Sequence, residues 1–135
     1  MSSYFQWDPV AYTVHVREFD KDHETIVGMM NKLHELHDRH AGRAELKAAL
    51  DPFVAFTLKH FANEEAYMER IGYPGYRTHV LIHKNLVQRV TQFAEQFQAR
   101  GEFGDDFFVF LNMWLKSHIC GVDAKYGEHK LSRAG

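Results

Sequence analysis

The chain has 135 residues, of which 45% are hydrophobic and 25% are charged, and its formal net charge is -2. This composition predicts one globular domain over residues 1–135 that is large enough to bury its own core. The charge balance does not favour a nucleic acid as partner, since proteins that bind nucleic acids usually carry a strong basic patch. No apolar run reaches the roughly 20 residues that a membrane-spanning helix needs, so we expect no membrane span.

Two features of the sequence predict a cytoplasmic protein. The first eight residues contain neither a basic stretch nor an apolar stretch, so they do not resemble a secretory signal. Cys120 is the only cysteine, which rules out a disulfide within the chain and fits a reducing compartment. We expect its side chain to be a free thiol that is partly buried.

Residues 1–19 are predicted to form an arm that lies across the rest of the protein. Their large apolar side chains are available for packing: Phe5, Trp7, Tyr12 and Phe19. After the arm, apolar residues recur at intervals of three and four, which is the helical period. The first helix should begin near Asp20, whose carboxylate can cap the free N–H groups of the first turn, and end near Gly42.

Three more helices follow the first. The second should span about 44–71, and Pro52 within it could bend the helix or mark its true start. The third should span 76–99, and the fourth should begin at about residue 105, where acidic side chains suit the helix dipole. Four amphipathic helices with short connections predict an all-α protein, an antiparallel up-down four-helix bundle over about 20–120.

The residues after the bundle, 121–135, are predicted to form a tail with a short helix over 123–129. We expect five histidines outside the core to lie at the protein surface: His15, His34, His37, His40 and His129. Three of these are spaced three apart near the end of the first helix, but a solvated helix face explains them better than a second metal patch.

Six polar side chains fall on helix faces that are otherwise apolar, and every predicted helix contributes at least one of them: His23, His60, Glu64, His79, His83 and His118. A single histidine on such a face is usually a hydrogen-bonded core residue. Burying six polar groups costs free energy unless something satisfies them together. A metal ion does so, and the pattern therefore predicts a metal site inside the bundle.

The spacing of these residues along the second and third helices supports a shared site. His60 and Glu64 are four residues apart, as are His79 and His83. Side chains four apart lie on the same face of a helix. Each pair can therefore contribute two ligands to one centre.

The fourth helix carries a less regular spacing. His118 and Asp123 are five residues apart, which is too far around a regular α-helix for both to face one site. We therefore predict that the helix breaks or bulges between them. Gly121 lies within this stretch and would lower the cost of such a break.

These residues, in this order and spacing, resemble the ligand set of the hemerythrin family in its bacterial single-domain form: His23, His60-xxx-Glu64, His79-xxx-His83 and His118-xxxx-Asp123. Matching motifs extend the resemblance over nearly the whole chain: Trp7-Asp8, Asp20-xx-His23, Phe61-xx-Glu64-Glu65 with Met68, Gly72-Tyr73-Pro74, Trp114-Leu115-xx-His118-Ile119 and Asp123-xx-Tyr126. Asp22 stands where many relatives have glutamine, and we expect this difference to matter only at the surface.

The resemblance implies a non-haem centre of two iron ions with an oxo or hydroxo bridge. It implies that His79, His83 and His118 hold one iron, while His23 and His60 hold the other. If both carboxylates bridge, they supply four bonds, the imidazoles supply five and the bridging oxygen supplies two. Two octahedral ions need twelve bonds, so one position stays open, as a site that binds a small molecule requires.

The abundance of imidazole favours reversible oxygen binding over oxygen cleavage. Di-iron bundle proteins that activate dioxygen have more carboxylates and carry Glu-x-x-His motifs, and this sequence contains none. We expect apolar side chains to surround the open position and keep water out: Phe56, Phe61, Trp114, Leu115 and Ile119. Glu65 should be exposed, and Tyr126 should either support Asp123 or pack in the core.

The sequence leads to one expected function and leaves alternatives open. We expect a monomer that is not an enzyme and that stores or carries dioxygen, or delivers it to an oxygen-consuming enzyme. Sensing of oxygen, redox state or nitric oxide through the same site is the main alternative. A peroxidase or nitric oxide scavenger is a third. Imidazole and carboxylate also suit manganese, zinc and cobalt.

Overall fold

The computed structural model describes residues 5–8 and 12–134, and the side chains of Cys120 and of residues 131–134 lie outside this description. The expectation for the thiol of Cys120 therefore lies outside it too. The elements are α1 (Arg17–Asp38), α2 (Arg43–Arg70), α3 (Tyr76–Arg100), α4 (Asp105–Ser117), a π-helical segment (His118–Asp123) and α5 (Ala124–Ala134). The predicted class is confirmed: a four-helix bundle with an N-terminal arm and a short C-terminal helix.

The helix bounds agree with the sequence to within a few residues. The tail helix runs to Ala134, further than the expected residue 129. Helix α2 continues through Pro52 from Arg43 to Arg70, so this proline does not mark the start of the helix. None of the described helices combines the length and the apolarity that crossing a lipid bilayer requires.

The expected capping role of Asp20 is wrong. Helix α1 begins at Arg17, so Asp20 already lies inside it. Its carboxylate instead accepts hydrogen bonds from the hydroxyl of Thr13 at 2.7 Å and from the backbone N–H of Val14 at 2.8 Å. The carboxylate therefore fixes the arm against α1 rather than starting the helix.

The described part of the arm packs on the bundle, as its aromatic residues predict. Phe5 is only 2% exposed, and its backbone N–H and carbonyl both bond to the side-chain amide of Asn31. Further along, the arm passes so close to α5 that a Cβ atom at Gly127 would overlap the carbonyl oxygen of Val14. Glycine is required there because only a residue without a side chain permits this approach.

The antiparallel arrangement places the polar and apolar core residues at opposite ends of the bundle. The start of α1, the end of α2, the start of α3 and the end of α4 meet at one end. The other end is filled by stacked aromatic rings, with 4.6 Å between the centroids of Phe97 and Phe103 and 4.8 Å between those of Phe103 and Phe107. Burial of each such ring stabilises the fold by about 2 kcal/mol. This stabilisation helps to offset the free-energy cost of burying a polar cluster at the other end.

Candidate metal centre

The seven predicted ligands meet at the polar end of the bundle, and all are at most 5% exposed: His23, His60, Glu64, His79, His83, His118 and Asp123. They come from α1, α2, α3 and the π-helical segment. No single helix could assemble this set. The bundle topology is what brings these side chains together.

The side chains form two overlapping groups in the described part of the chain. One contains His79, His83 and His118, and the other contains His23 and His60; both include Glu64 and Asp123. Within each group, one nitrogen or oxygen atom per residue lies within 4.8 Å of all the others. The two groups are therefore two sets of potential metal ligands that have both carboxylates in common.

The two oxygens of Asp123 face different groups. Oδ2 lies 3.1 Å from Nε2 of His23, whereas Oδ1 lies 2.8 Å from Nε2 of both His79 and His118. A carboxylate so placed could contribute an oxygen to a metal held by either group. Asp123 is therefore a potential ligand that both groups have in common.

Glu64 occupies the opposite side of the cluster. Its Oε1 lies 3.1 Å from Nε2 of His60 and 3.4 Å from Nε2 of His83, so this oxygen contacts a histidine of each group. Its Oε2 accepts a hydrogen bond of 2.6 Å from the hydroxyl of Tyr126. Tyr126 thus holds Glu64 through the oxygen that does not contact His60 or His83.

Asp123 reaches the site through an irregular helix, as its spacing from His118 predicts. The six residues His118–Asp123 form a π-helix, in which each turn takes more residues than in an α-helix. A separation of five residues then returns to nearly the same face. Gly121 lies in this segment without a positive φ, so the wider turn does not depend on left-handed glycine geometry.

The unpaired polar atoms of the cluster test whether a metal fits. The Nε2 atoms of all five histidines are buried without a hydrogen-bond partner, as are both oxygens of Asp123 and Oε1 of Glu64. Buried polar atoms are normally satisfied, and leaving this many unpaired is costly. Nitrogen and oxygen lone pairs that converge on a shared space are what a transition-metal ion binds. The residues therefore fit a bound metal.

The charges in the cluster shift the pKa values of its members. Burial of His60 favours the neutral ring, but the charge of Glu64 and the hydrogen bond to Asp22 outweigh burial and raise its pKa to about 9. Burial and the charge of Asp123 favour protonated Glu64, but His60 and His83 outweigh them and lower the pKa of Glu64 to about 2. In the absence of metal, protons bound to the histidines thus balance the charge of the carboxylates, as metal ions would otherwise do.

Two acidic residues that the sequence assigned to the surface hold histidines of the cluster. Asp22 Oδ2 accepts a hydrogen bond of 2.8 Å from Nδ1 of His60, and Glu65 Oε2 accepts one of 3.0 Å from Nδ1 of His83. Because a carboxylate oxygen only accepts, each Nδ1 carries a hydrogen, and when the ring is neutral, as metal binding requires, its Nε2 lone pair is directed into the site. The expectations that Asp22 matters only at the surface and that Glu65 is exposed are wrong.

The two contacts share a simple pattern. Each acid directly neighbours a proposed ligand in the sequence, and it bonds to a ligand of the next helix. A residue beside a core position lies about 100° around the helix, on the flank that meets the neighbouring helix. A carboxylate next to a core ligand is therefore the signal that could have identified both contacts.

Tyr126 is fully buried and supports the site through Glu64 rather than Asp123. Burial raises the pKa of its hydroxyl, as do the charges of Glu64 and Asp123, so the group stays protonated and donates. We expect Tyr126→Phe to lower the free energy of unfolding of the metal-free protein by about 1–3 kcal/mol, because Oε2 loses its buried donor. Urea denaturation measures this. The substitution Tyr12→Phe is the matched control, since Tyr12 is only half-buried in the arm, and an equal loss there would contradict the assigned contact.

A small cavity lies against the group with two histidines. The volume of this cavity is about 10 Å³, so it holds one very small molecule. Its apolar wall includes four of the predicted pocket residues, and Ile26 joins them: Ile26, Phe61, Trp114, Leu115 and Ile119. Phe56 does not line the cavity. It precedes the inward-facing Thr57 by one residue, which turns its half-buried side chain away from the site.

Of the five histidines expected at the surface, only His15 and His40 are exposed. His37 is half-buried, lies 4.8 Å from the Phe108 ring by centroids and contacts Asp105 through Nε2 at 2.9 Å. His34 packs at 5.1 Å against the same ring, and His129 is half-buried beside Tyr73. The described residues contain no third group of potential metal ligands, and the expectation against a second metal patch stays a prediction.

Residues 14–129 match the family model described as the hemerythrin HHE cation binding domain. The chain belongs to the hemerythrin family. Its hemerythrin relatives include the bacteriohemerythrin of Pseudomonas aeruginosa (strain PAO1), which is 38% identical over 113 residues, 82% of this chain and 72% of that protein. The bacteriohemerythrin of Methylococcus capsulatus is 32% identical over 90% of this chain and 92% of its own length. The resemblance to bacterial hemerythrins is confirmed.

The hemerythrin fold is equally clear from solved structures. A crystal structure of wild-type hemerythrin superposes with a TM-score of 0.87 and 31% sequence identity, covering 93% of this chain and 97% of that one. A hemerythrin from Sipunculus nudus is 29% identical over 90% of this chain and 90% of its own length. The family and the buried cluster of His, Glu and Asp together support metal binding and an oxygen-binding role of the hemerythrin type.

Proposed function

We propose that the chain binds dioxygen reversibly at a non-haem di-iron centre, for oxygen storage, transport or delivery to an oxygen-requiring enzyme. One observation carries the proposal: five unpartnered imidazole nitrogens surround two shared carboxylates, and one small cavity lies beside the group that has fewer histidines. Two bound irons would supply reversible two-electron donation to dioxygen. The proposed ligands are His23, His60, Glu64, His79, His83, His118 and Asp123.

The two groups differ in a way that suits ligand binding. Three imidazoles from α3 and the π-helical segment surround one position, whereas only His23 and His60 surround the other. The cavity is lined by both of these histidines but by only one of the other three, His118. This lining favours the position with fewer donors as the one that would accommodate an incoming molecule.

The cavity wall favours binding over catalysis. Every titratable residue that lines the cavity is itself a proposed ligand, and the rest of the wall is apolar. The nearby hydroxyl of Tyr126 already donates to Glu64. Since none of the described side chains places a separate acid at the cavity, no described group is positioned to protonate a bound molecule. The cytoplasmic location and monomeric state expected from the sequence stay predictions.

Repeated oxygenation of ferrous-loaded protein tests the proposal. Exposure to oxygen should produce a visible absorption band that disappears under argon and returns over several cycles. Irreversible oxidation in the first cycle would contradict reversible binding. Turnover of peroxide well above that of free iron would instead favour an enzyme.

We expect His118→Ala to keep the helical fold but to lose iron and reversible oxygen binding. His118 supplies one of three imidazoles to its group, and removal of its ring leaves a buried Asp123 with one fewer partner. Circular dichroism, iron content and the oxygen cycle report these effects. His37→Ala is the matched control, because His37 also contacts an aspartate but lies at the other end of the bundle. Retained reversible binding in His118→Ala would remove His118 from the ligand set.

A further inference from the structure

A second cavity, here called the α2–α3 cleft, opens between the middle of α2 and the middle of α3. Its walls include Val54 and Phe61 of α2, Leu86, Val87 and Val90 of α3, and Trp114 of α4. The volume of the cleft is about 40 Å³, which is larger than the volume of the cavity beside the proposed ligands. This space suits a diatomic gas or a single heavy noble-gas atom.

The cleft exists because α3 contacts its neighbours mainly near its two ends. The buried residues of α3 are His79 and His83 near its start and Phe93 and Phe97 near its end. Between them, Leu86, Val87 and Val90 are only half-buried. The facing residues of α2 include the short side chains of Val54 and Thr57, which do not fill the gap.

The lining of the cleft makes it unfavourable for water. The hydroxyl of Thr57 is already used, since it donates to the backbone carbonyl of Phe53 at 2.8 Å. Thr91 is exposed, and the indole N–H of Trp114 is a single buried donor. A bound water normally makes about three hydrogen bonds, and the cleft does not supply them. An apolar molecule needs no hydrogen bonds there, so the cleft favours apolar ligands over water.

The cleft and the cavity at the proposed metal centre share two residues, Phe61 and Trp114. Their rings meet edge to face, with 5.9 Å between centroids and 84° between planes. Phe61 also stacks on the ring of His83, with 4.0 Å between centroids, which holds the Phe61 ring in place. Movement of the Trp114 ring would therefore connect the two cavities.

We propose that the α2–α3 cleft is an antechamber that binds dioxygen before it passes between Phe61 and Trp114 to the cavity beside His23 and His60. This inference rests on the proposed function. Dioxygen is small, apolar and uncharged, which matches the size and the dry lining of the cleft. Water and anions are excluded from the same path because they would lose hydration without replacement.

A wider groove on the other side of Phe61 offers a comparison. It shares Leu58, Phe61 and Val87 with the cleft, but its other walls include Glu65, Lys84 and Gln88, and it is more open to solvent. The charged and amide side chains can bind water there, so the groove favours an apolar gas less than the cleft does. A bulky side chain placed here should therefore have no effect on oxygen movement, which makes the groove a built-in control.

The test combines xenon binding with oxygen kinetics in the full-length, metal-loaded protein. Xenon is an apolar probe of similar size and should occupy the α2–α3 cleft in pressurised crystals. In Val90→Phe, xenon should be lost from the cleft, and the rates of oxygen association and dissociation should both fall by about tenfold, since a raised barrier slows both directions equally. Gln88→Phe, which fills the groove, should leave the xenon site and both rates unchanged.

The circular dichroism spectrum and the iron content of each variant must match those of the unaltered protein. If Val90→Phe fails to fold, Val54→Leu is the second variant, because it fills the cleft from the α2 side. Absence of xenon from the cleft, or unchanged rates in a folded cleft variant, would overturn the antechamber. Lack of reversible oxygen binding by the unaltered protein would overturn the proposed function instead. The two failures are therefore distinguishable.

Discussion

Asp123→Asn should abolish binding of the metal pair while the bundle stays folded. The two oxygens of Asp123 lie 2.8–3.1 Å from histidines of both groups. Asparagine keeps the size of the side chain but replaces one oxygen with an N–H₂ group, which cannot bind a metal cation. Loss of an outer hydrogen-bond partner alone weakens metal binding by 10–100-fold, so loss of a shared ligand should weaken it by more than about a hundredfold.

Metal content after anaerobic reconstitution and desalting measures this effect. Asp105→Asn is the matched control, because Asp105 also contacts a histidine, His37, but is 96% exposed at the other end of the bundle. It should retain the metal content of the unaltered protein. Two metal ions retained by Asp123→Asn would show that Asp123 does not bridge the centre.

In the metal-free protein, the free energy of unfolding should fall as pH rises from about 6.5 to about 9. His60 has its ordinary pKa of 6.5 when unfolded and a pKa raised to about 9 when folded. A raised pKa stabilises the fold fully below the unfolded value, and the stabilisation is lost as pH passes the folded value. The shift corresponds to at most about 3 kcal/mol.

In acid the stability of the metal-free protein should show the opposite trend. The pKa of Glu64 is lowered from 4.5 to about 2, so its stabilisation is present above pH 4.5 and is lost as pH falls towards 2. Stability of the metal-free protein should therefore be highest between about pH 4.5 and 6.5. Urea denaturation over this pH series, with a chelator present, measures both trends.

The metal-loaded protein is the control for the alkaline trend. A metal ion on Nε2 of His60 occupies the atom that would otherwise bind the proton, so the loaded form should show little change between pH 6.5 and 9. A metal-free stability that is flat or rises over this window would contradict the proton-for-metal exchange in the cluster.

Much of the candidate site follows from sequence because helix periodicity is a strong constraint. The pairs His60 with Glu64 and His79 with His83 need only a regular helix to face one centre, and both helices are regular there. The need for an irregular turn after His118 is also readable, because a spacing of five residues conflicts with an α-helix. The π-helical segment meets that need.

What the sequence did not reveal depends on contacts between helices. Asp22 and Glu65 lie beside core positions, and only the packing of α1 on α2, and of α2 on α3, brings them to His60 and His83. Asp20 has the residue type of a helix cap, but the arm, folded back on α1, supplies donors to it. Periodicity within one helix carries no information about such partners.

Oxygen uptake measured against iron content tests the central claim most directly. Iron in the native protein is counted by elemental analysis, and the reversible uptake of dioxygen by the ferrous form is measured by gas titration. Two irons per chain and one dioxygen per two irons, released under argon, is the predicted result. Uptake of one dioxygen per iron, or two irons without reversible uptake, would contradict it.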